Sequence, residues 1–210
     1  MRSNSLTHIA LVGAAIAIAA CAKEQSNTTT DSAGGAMNAD SSSMRADSSA
    51  NSANNNSGIA TNDASIVAYL DAVNAADSAG GKLASTKGTS AAVRDYGKMM
   101  MGEHHALRVQ GQALAKKDSI TPTPAANDTT QQNAQHTQAA MTSMAKGAAW
   151  DKAYIDHEVA VHQEVLDNAK SAANATQNAD LKALIEKASP VVQKHLDRAK
   201  EIQKTLTPST

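Results

Sequence analysis

From about residue 63 almost to the C-terminus, apolar residues recur every three to four positions, the spacing of an amphipathic helix. The first predicted helix covers 63–86, with Ile66, Leu70, Val73 and Asp77 on one stripe. Gly88-Thr89-Ser90 interrupts it, and Ser90 is placed to cap a second helix over 90–117. That helix carries the stripe Val93, Gly97, Met100, His104, Leu107, Gly111 and Leu114. Residues 118–127 hold Pro122 and Pro124 and read as a loop, followed by a weaker helix over 129–145 and Gly147. A fourth helix over 150–173 aligns Ile155, Val159, His162, Leu166, Ala169 and Ala173. The fifth, from about 178 to 206, aligns Leu181, Leu184, Ala188, Val192, His195, Ala199, Ile202 and Leu206. Pro190 lies inside that last pattern, where it bends a helix rather than ending it. Long amphipathic helices joined by short turns predict an all-α fold, an antiparallel ferritin-like four-helix bundle with an extra short helix, over 63–207. Ala and Gly on the stripes predict close helix contacts.

The chain before residue 63 has a different character. Arg2 precedes an apolar run over 9–20, too short to span a bilayer but suited to a secretory signal. The run ends in Ile18-Ala19-Ala20-Cys21, and Cys21 is the chain's single cysteine. Small residues admit a peptidase, and the thiol directly after them can take lipid. This resembles the bacterial lipoprotein signal: residues 1–20 are expected to be removed and Cys21 to carry acyl chains such as palmitate. Ala22, where an inner-membrane protein often has Asp, resembles outer-membrane sorting, so the expected place is the bacterial envelope, on the outer membrane facing the periplasm. Residues 21–62 are mostly Ser, Asn, Ala, Asp, Thr and Gly, with almost no large apolar residue to offset ordering entropy. They read as a tether with an r.m.s. reach of about 35 Å.

Composition narrows the classes further. Aromatics are 2% of the 210 residues, with no Phe, which disfavours an all-β fold. With 19 basic and 20 acidic residues there is no basic excess to hold nucleic acid. One cysteine excludes an intramolecular disulfide and a cysteine-based zinc site. Neither a Gly-x-Ser-x-Gly elbow, a phosphate loop nor a dinucleotide fingerprint occurs.

Three apolar stripes carry one histidine each, His104, His162 and His195. A desolvated imidazole needs a partner, so each position asks for an explanation. With hairpin turns near 87–88 and 175–176, Asp77 and His104 lie about six residues out of level, as do His162 and His195. That is about 9 Å at 1.5 Å per residue, and the lean of side chains toward each helix N-terminus shortens it. A central cluster of Asp77, His104, His162 and His195, with Glu158 one turn before His162, is therefore possible in depth, while rotation about each axis stays open. Two readings follow. In the favoured one, the histidines fix helix register through buried hydrogen bonds. In the other they bind a transition metal, with Asp77 as a fourth ligand. A di-iron motif is absent, because Met101 and Val192 stand where Glu-x-x-His needs glutamate. Met99-Met100-Met101 is soft-ligand material for copper(I), but methionine at helical spacing reads first as core. His105 and His157 lie off the stripes and are expected in solvent.

Leu83-Ala84, Val93-Arg94-Asp95-Tyr96-Gly97-Lys98-Met99-Met100 and Glu103-His104 resemble the first half of the domain of unknown function 4142 family. Trp150-Asp151-Lys152-Ala153-Tyr154-Ile155 with His162 resembles its Phe-Asp-x-x-Tyr segment and following His, and His195-Leu196 with Ala199-Lys200 its last motif. The resemblance spans 63–206 and implies an exported ferritin-like bundle with no established activity, whose three histidines fall on the three stripe positions above. This chain departs from the family at Glu103, usually Asp, and at Asp77-Ser78-Ala79-Gly80-Gly81, often Glu-x-Glu-Leu-Gly. The expectation from sequence is a non-enzymatic envelope lipoprotein, a binding or structural module in envelope maintenance or stress tolerance. It reaches the membrane through Cys21, and its protein partner is not readable. The alternative is a metal-binding bundle with inward-facing histidines.

Overall fold

The computed structural model describes residues 61–206; the signal, Cys21 and nearly all of the tether lie outside them. The described residues form five helices and no strand: α1 (Asp63–Lys87), α2 (Ala91–Lys117), α3 (Thr130–Ser143), α4 (Ala148–Ala175) and α5 (Ala179–Leu206). The all-α expectation holds, and the helix ends fall within about two residues of those the periodicity predicts. None of these helices is long and apolar enough to cross a membrane.

Two hairpins supply most of the packing. α1 and α2 run antiparallel, as three rungs show: Ser78 Oγ donates to the Met101 carbonyl (3.0 Å), His104 meets Asn74, and Arg108 pairs with Asp71 (2.9 Å). Gly81 and Gly97 face each other across this seam. A Cβ on Gly81 would fall 2.6 Å from the Gly97 carbonyl oxygen, and one on Gly97 2.7 Å from the Gly81 oxygen. Only hydrogen at both positions lets the two backbones come this close. α4 and α5 form the second hairpin, and Gln203 reaching Asp156 (2.8 Å) shows the same antiparallel sense. α5 continues through Pro190.

The caps differ in part from expectation. α1 starts with a reciprocal capping box between Asn62 and Ser65. Ser90 occupies the N-cap of α2, yet its side chain makes no capping bond. The buried Asp151 of α4 instead accepts from the backbone N–H of Thr89 (2.8 Å) and Ser90 (2.6 Å). One carboxylate thus fixes the α1–α2 turn to the second hairpin through two charge-assisted bonds. Gly147 precedes α4 with φ +157° and ψ −177°, a conformation open to glycine.

α3 buries no residue of its own and packs against α1. Its C-terminal carbonyls are held from below: Lys87 Nζ donates to Met141 (2.8 Å) and Thr142 (2.6 Å), and Trp150 Nε1 to Met141 (2.8 Å). A cation at a helix C-terminus is favoured by the macrodipole. Apolar cores fill both ends of the helical domain. Tyr96, Met100, Trp150, Ile155 and Ile202 occupy one, and Ile66, Val67, Leu181 and Ile185 the other. At mid-length, between Val73, Val165 and Val192, the apolar stripes are interrupted by the polar groups described next.

Candidate metal centre

His104, His162 and His195 are at most 2% exposed and meet at one point. Nε2 of His104 lies 3.3 Å from Nε2 of His162 and 3.1 Å from Nδ1 of His195. All three nitrogens lie within 4.8 Å of one another. Two of these contacts have hydrogen-bond length, but the partners of the opposite ring nitrogens decide where the protons are.

Each outer nitrogen faces an acceptor. Asn74 commits its amide NH2 to the Leu70 carbonyl (2.7 Å), so the group it turns to His104 Nδ1 at 2.9 Å is its oxygen. His162 Nδ1 faces the backbone carbonyl of Glu158, one turn earlier, at 2.9 Å. His195 Nε2 lies 2.8 Å from the carboxylate oxygen of Glu103, on the neighbouring helix. A carbonyl oxygen can only accept, so His104 and His162 carry their protons on Nδ1; with the carboxylate accepting, His195 carries its own on Nε2. The three inner nitrogens are then bare, and three lone pairs point at one another. No proton is left among them to make the short contacts favourable.

The surroundings keep the rings neutral. Burial, then the charges His162 and His195 would carry, hold His104 down at about 2. Burial and then His195 hold His162 at about 4. Burial also lowers His195, against the opposing pull of Glu103. An imidazole in a low-dielectric core gives up its proton rather than stay charged.

Two buried acids stand behind the rings. Asp77 Oδ2 is 3.4 Å from His104 Nδ1, and Glu158 Oε2 is 3.4 Å from His162 Nδ1. Both therefore lie on the outer side of their histidine, away from the convergent nitrogens. Burial raises Asp77 to about 7. Glu158 is pushed well above the carboxylate range by burial and further by the charge of Asp77. The hydroxyls of Tyr96 and Tyr154 reach the Glu158 carboxyl at the margin of hydrogen-bond geometry and pull its pKa down against burial, and neither hydroxyl nor Glu158 Oε2 has a well-formed partner.

A scan against protein families matches residues 48–202 to Domain of unknown function (DUF4142). The chain belongs to the DUF4142 family. No curated protein and no solved structure matches it.

Within this DUF4142 chain the four residues singled out from sequence fall at one level, but in two roles. His104, His162 and His195 present nitrogen to a common point, whereas Asp77 backs His104. Sequence reasoning missed Asn74 and did not give Glu103 its role. A signal existed for Asn74, since asparagine is a poor helix-interior residue and this one lies one turn before Asp77. Glu103 carried none, because its target is 92 residues away. Two other expectations need revision. His157 is half-buried against the cavity beneath α3 and not in solvent, while His105 is exposed. Of the three consecutive methionines, Met100 is core and Met101 is partly exposed.

Proposed function

We propose that this protein is a transition-metal-binding module, with His104 Nε2, His162 Nε2 and His195 Nδ1 as the ligand set. The observation that carries the reading is the convergence of three bare, neutral imidazole nitrogens whose opposite N–H groups are each taken by an acceptor. Ligating histidines commonly donate their other ring N–H to an acceptor in this way, which fixes the tautomer and raises ligand basicity. Zn–N bonds of 2.0–2.1 Å in a tetrahedral site put ligand nitrogens about 3.3–3.4 Å apart; two of the spacings, 3.1 and 3.3 Å, are near that, and all three nitrogens lie within 4.8 Å. Neutral rings also need shed no proton on binding. Imidazole donors suit zinc, copper, iron or nickel, and three protein ligands leave a further coordination position open.

The wider reading joins this site to the sequence. The two hairpins are taken to close into an antiparallel ferritin-like four-helix bundle with α3 as the extra short helix. Lipid on Cys21 and the 21–62 tether hold it at the bacterial envelope, where it binds metal without catalysing a reaction, in the service of envelope maintenance or stress tolerance. Arg2, the apolar run and the Ala19-Ala20-Cys21 junction support the anchor. Changing Cys21→Ala should move the protein from the membrane to the soluble fraction; unchanged fractionation removes the anchor.

The metal reading is tested by elemental analysis of the purified full chain, prepared without tag or chelator, beside a His104→Ala, His162→Ala, His195→Ala triple variant. One equivalent of metal in the parent and none in the folded variant is the expected result. A parent with no metal, and no thermal shift on adding zinc, copper or iron, overturns it.

A further inference from the structure

A cavity of about 340 Å³ runs between α1, α3 and α4, on the far side of His104 and His162 from their convergent nitrogens. Its outer wall is the polar face of α3, with Asn133, Thr137 and Gln138. Its inner wall holds Asp77, Tyr154 and Glu158, which are at most 5% exposed. Gly80 lies against the same place, where a Cβ would come no closer than 3.8 Å to Glu158 Oε1.

We propose that the inner wall of this cavity is a second cation site, in which oxygens of Asp77, Glu158 and Tyr154, flanked by Tyr96, take a hard divalent cation such as Mn2+. Tyr154 and Glu158 line the cavity, and Tyr96 stands behind them; the two tyrosine hydroxyls reach only the Glu158 carboxyl, at the margin of hydrogen-bond geometry, and neither they nor Glu158 Oε2 have a well-formed partner. Buried polar atoms are nearly always paired with protein, ordered water or an ion, so three together call for such a partner. The donor set is all oxygen, which selects hard cations. No lysine or arginine lines the cavity, and Glu164 adds a third acid toward its mouth. A divalent ion would displace the protons that burial keeps on Asp77 and Glu158, and its two charges would match the two carboxylates so formed. Polar residues of α3 along the wall give the ion a wet route from solvent.

The test is titration of the purified full chain with Mn2+, followed by loss of the free-ion electron paramagnetic resonance signal. One equivalent should bind, more than tenfold more weakly in an Asp77→Asn, Glu158→Gln variant and several-fold more weakly in Tyr154→Phe, which keeps the ring packing if the double variant does not fold. His195→Gln, which alters only the imidazole site, should leave Mn2+ affinity within threefold. No binding by the parent overturns the proposal. So does binding lost in His195→Gln but kept without the acids, which would put the ion on the imidazoles. Mn2+ bound as expected by a protein that takes no zinc would leave this site standing and remove the histidine site instead.

Discussion

Replacing Asn74 by Leu separates a metal-binding role for the histidines from a purely structural one. Asn74 Oδ1 is the acceptor at 2.9 Å that holds the His104 proton on Nδ1. Leucine keeps the volume and removes the acceptor. In the metal-free protein His104 is then free to move its proton to Nε2, where the nitrogens of His195 at 3.1 Å and His162 at 3.3 Å are waiting acceptors. Two hydrogen bonds are lost, to His104 and to the Leu70 carbonyl, and one is gained, each worth about 1 kcal/mol, so metal-free stability should fall by only about 1 kcal/mol. Metal binding should fare worse, since loss of the group that holds a ligating histidine's other N–H costs about 10–100-fold in affinity. At a zinc concentration about 100 times the parent's Kd, binding stabilises the parent by about 2.7 kcal/mol, and the variant by only about 0.4–1.4 kcal/mol. At about 2–4 °C per kcal/mol, the zinc-dependent rise in Tm should fall from about 5–11 °C to about 1–6 °C. Differential scanning calorimetry with and without zinc reads both effects. A variant destabilised by several kcal/mol without metal, yet with the parent's full zinc shift, would refute the tautomer argument.

Asp77→Asn should steepen the pH dependence of stability. The folded-state pKa values of His104 and His162 are depressed, so their contribution is complete above about 6.5 and falls as the unfolded chain gains protons below that. Asp77 is raised to about 7 and opposes them, binding a proton in the fold that the unfolded chain releases above about 4. Removing it should add up to about 1.4 kcal/mol per pH unit to the slope between pH 4.5 and 6.5 in the metal-free protein, measured by urea unfolding; an unchanged slope contradicts the assignment. Gly97→Ala would drive a Cβ to 2.7 Å from both the Gly81 oxygen and the Ser85 nitrogen, so the α1–α2 seam must open. A loss of about 1–3 kcal/mol in the same assay is expected, and none at all would mean the seam is looser than described.

Much of this was readable from the sequence because helix geometry is nearly rigid. The stripe through Val93, Gly97, Met100 and His104 sets the inward face of α2, and all four are buried. Counting residues from the two turns gave the depth at which the histidines could meet. The sequence could not give rotation about each axis, and rotation separates a ligand from its support: Asp77 shares a level with the imidazoles but stands behind one of them. Contacts between distant segments were equally hidden. Asp151 holds the N–H groups of Thr89 and Ser90 just ahead of α2, and Glu103 reaches across to His195, through spacings that no local pattern encodes. His157 lies off the apolar stripe of α4, yet α3, which has no buried residue to betray its docking face, folds over that side and takes it out of solvent.

The claim on which the account rests is that three unprotonated nitrogens converge, and long-range 1H–15N correlation NMR of the imidazoles observes it directly. In metal-free protein near pH 7, the proton should be on Nδ1 of His104 and His162 and on Nε2 of His195. One equivalent of Zn2+ should then shift the three opposite nitrogens together and leave the protonated ones in place. A proton found on His104 Nε2, shared with His162 or His195 and indifferent to Zn2+, would contradict the account and make the cluster a buried hydrogen-bond network.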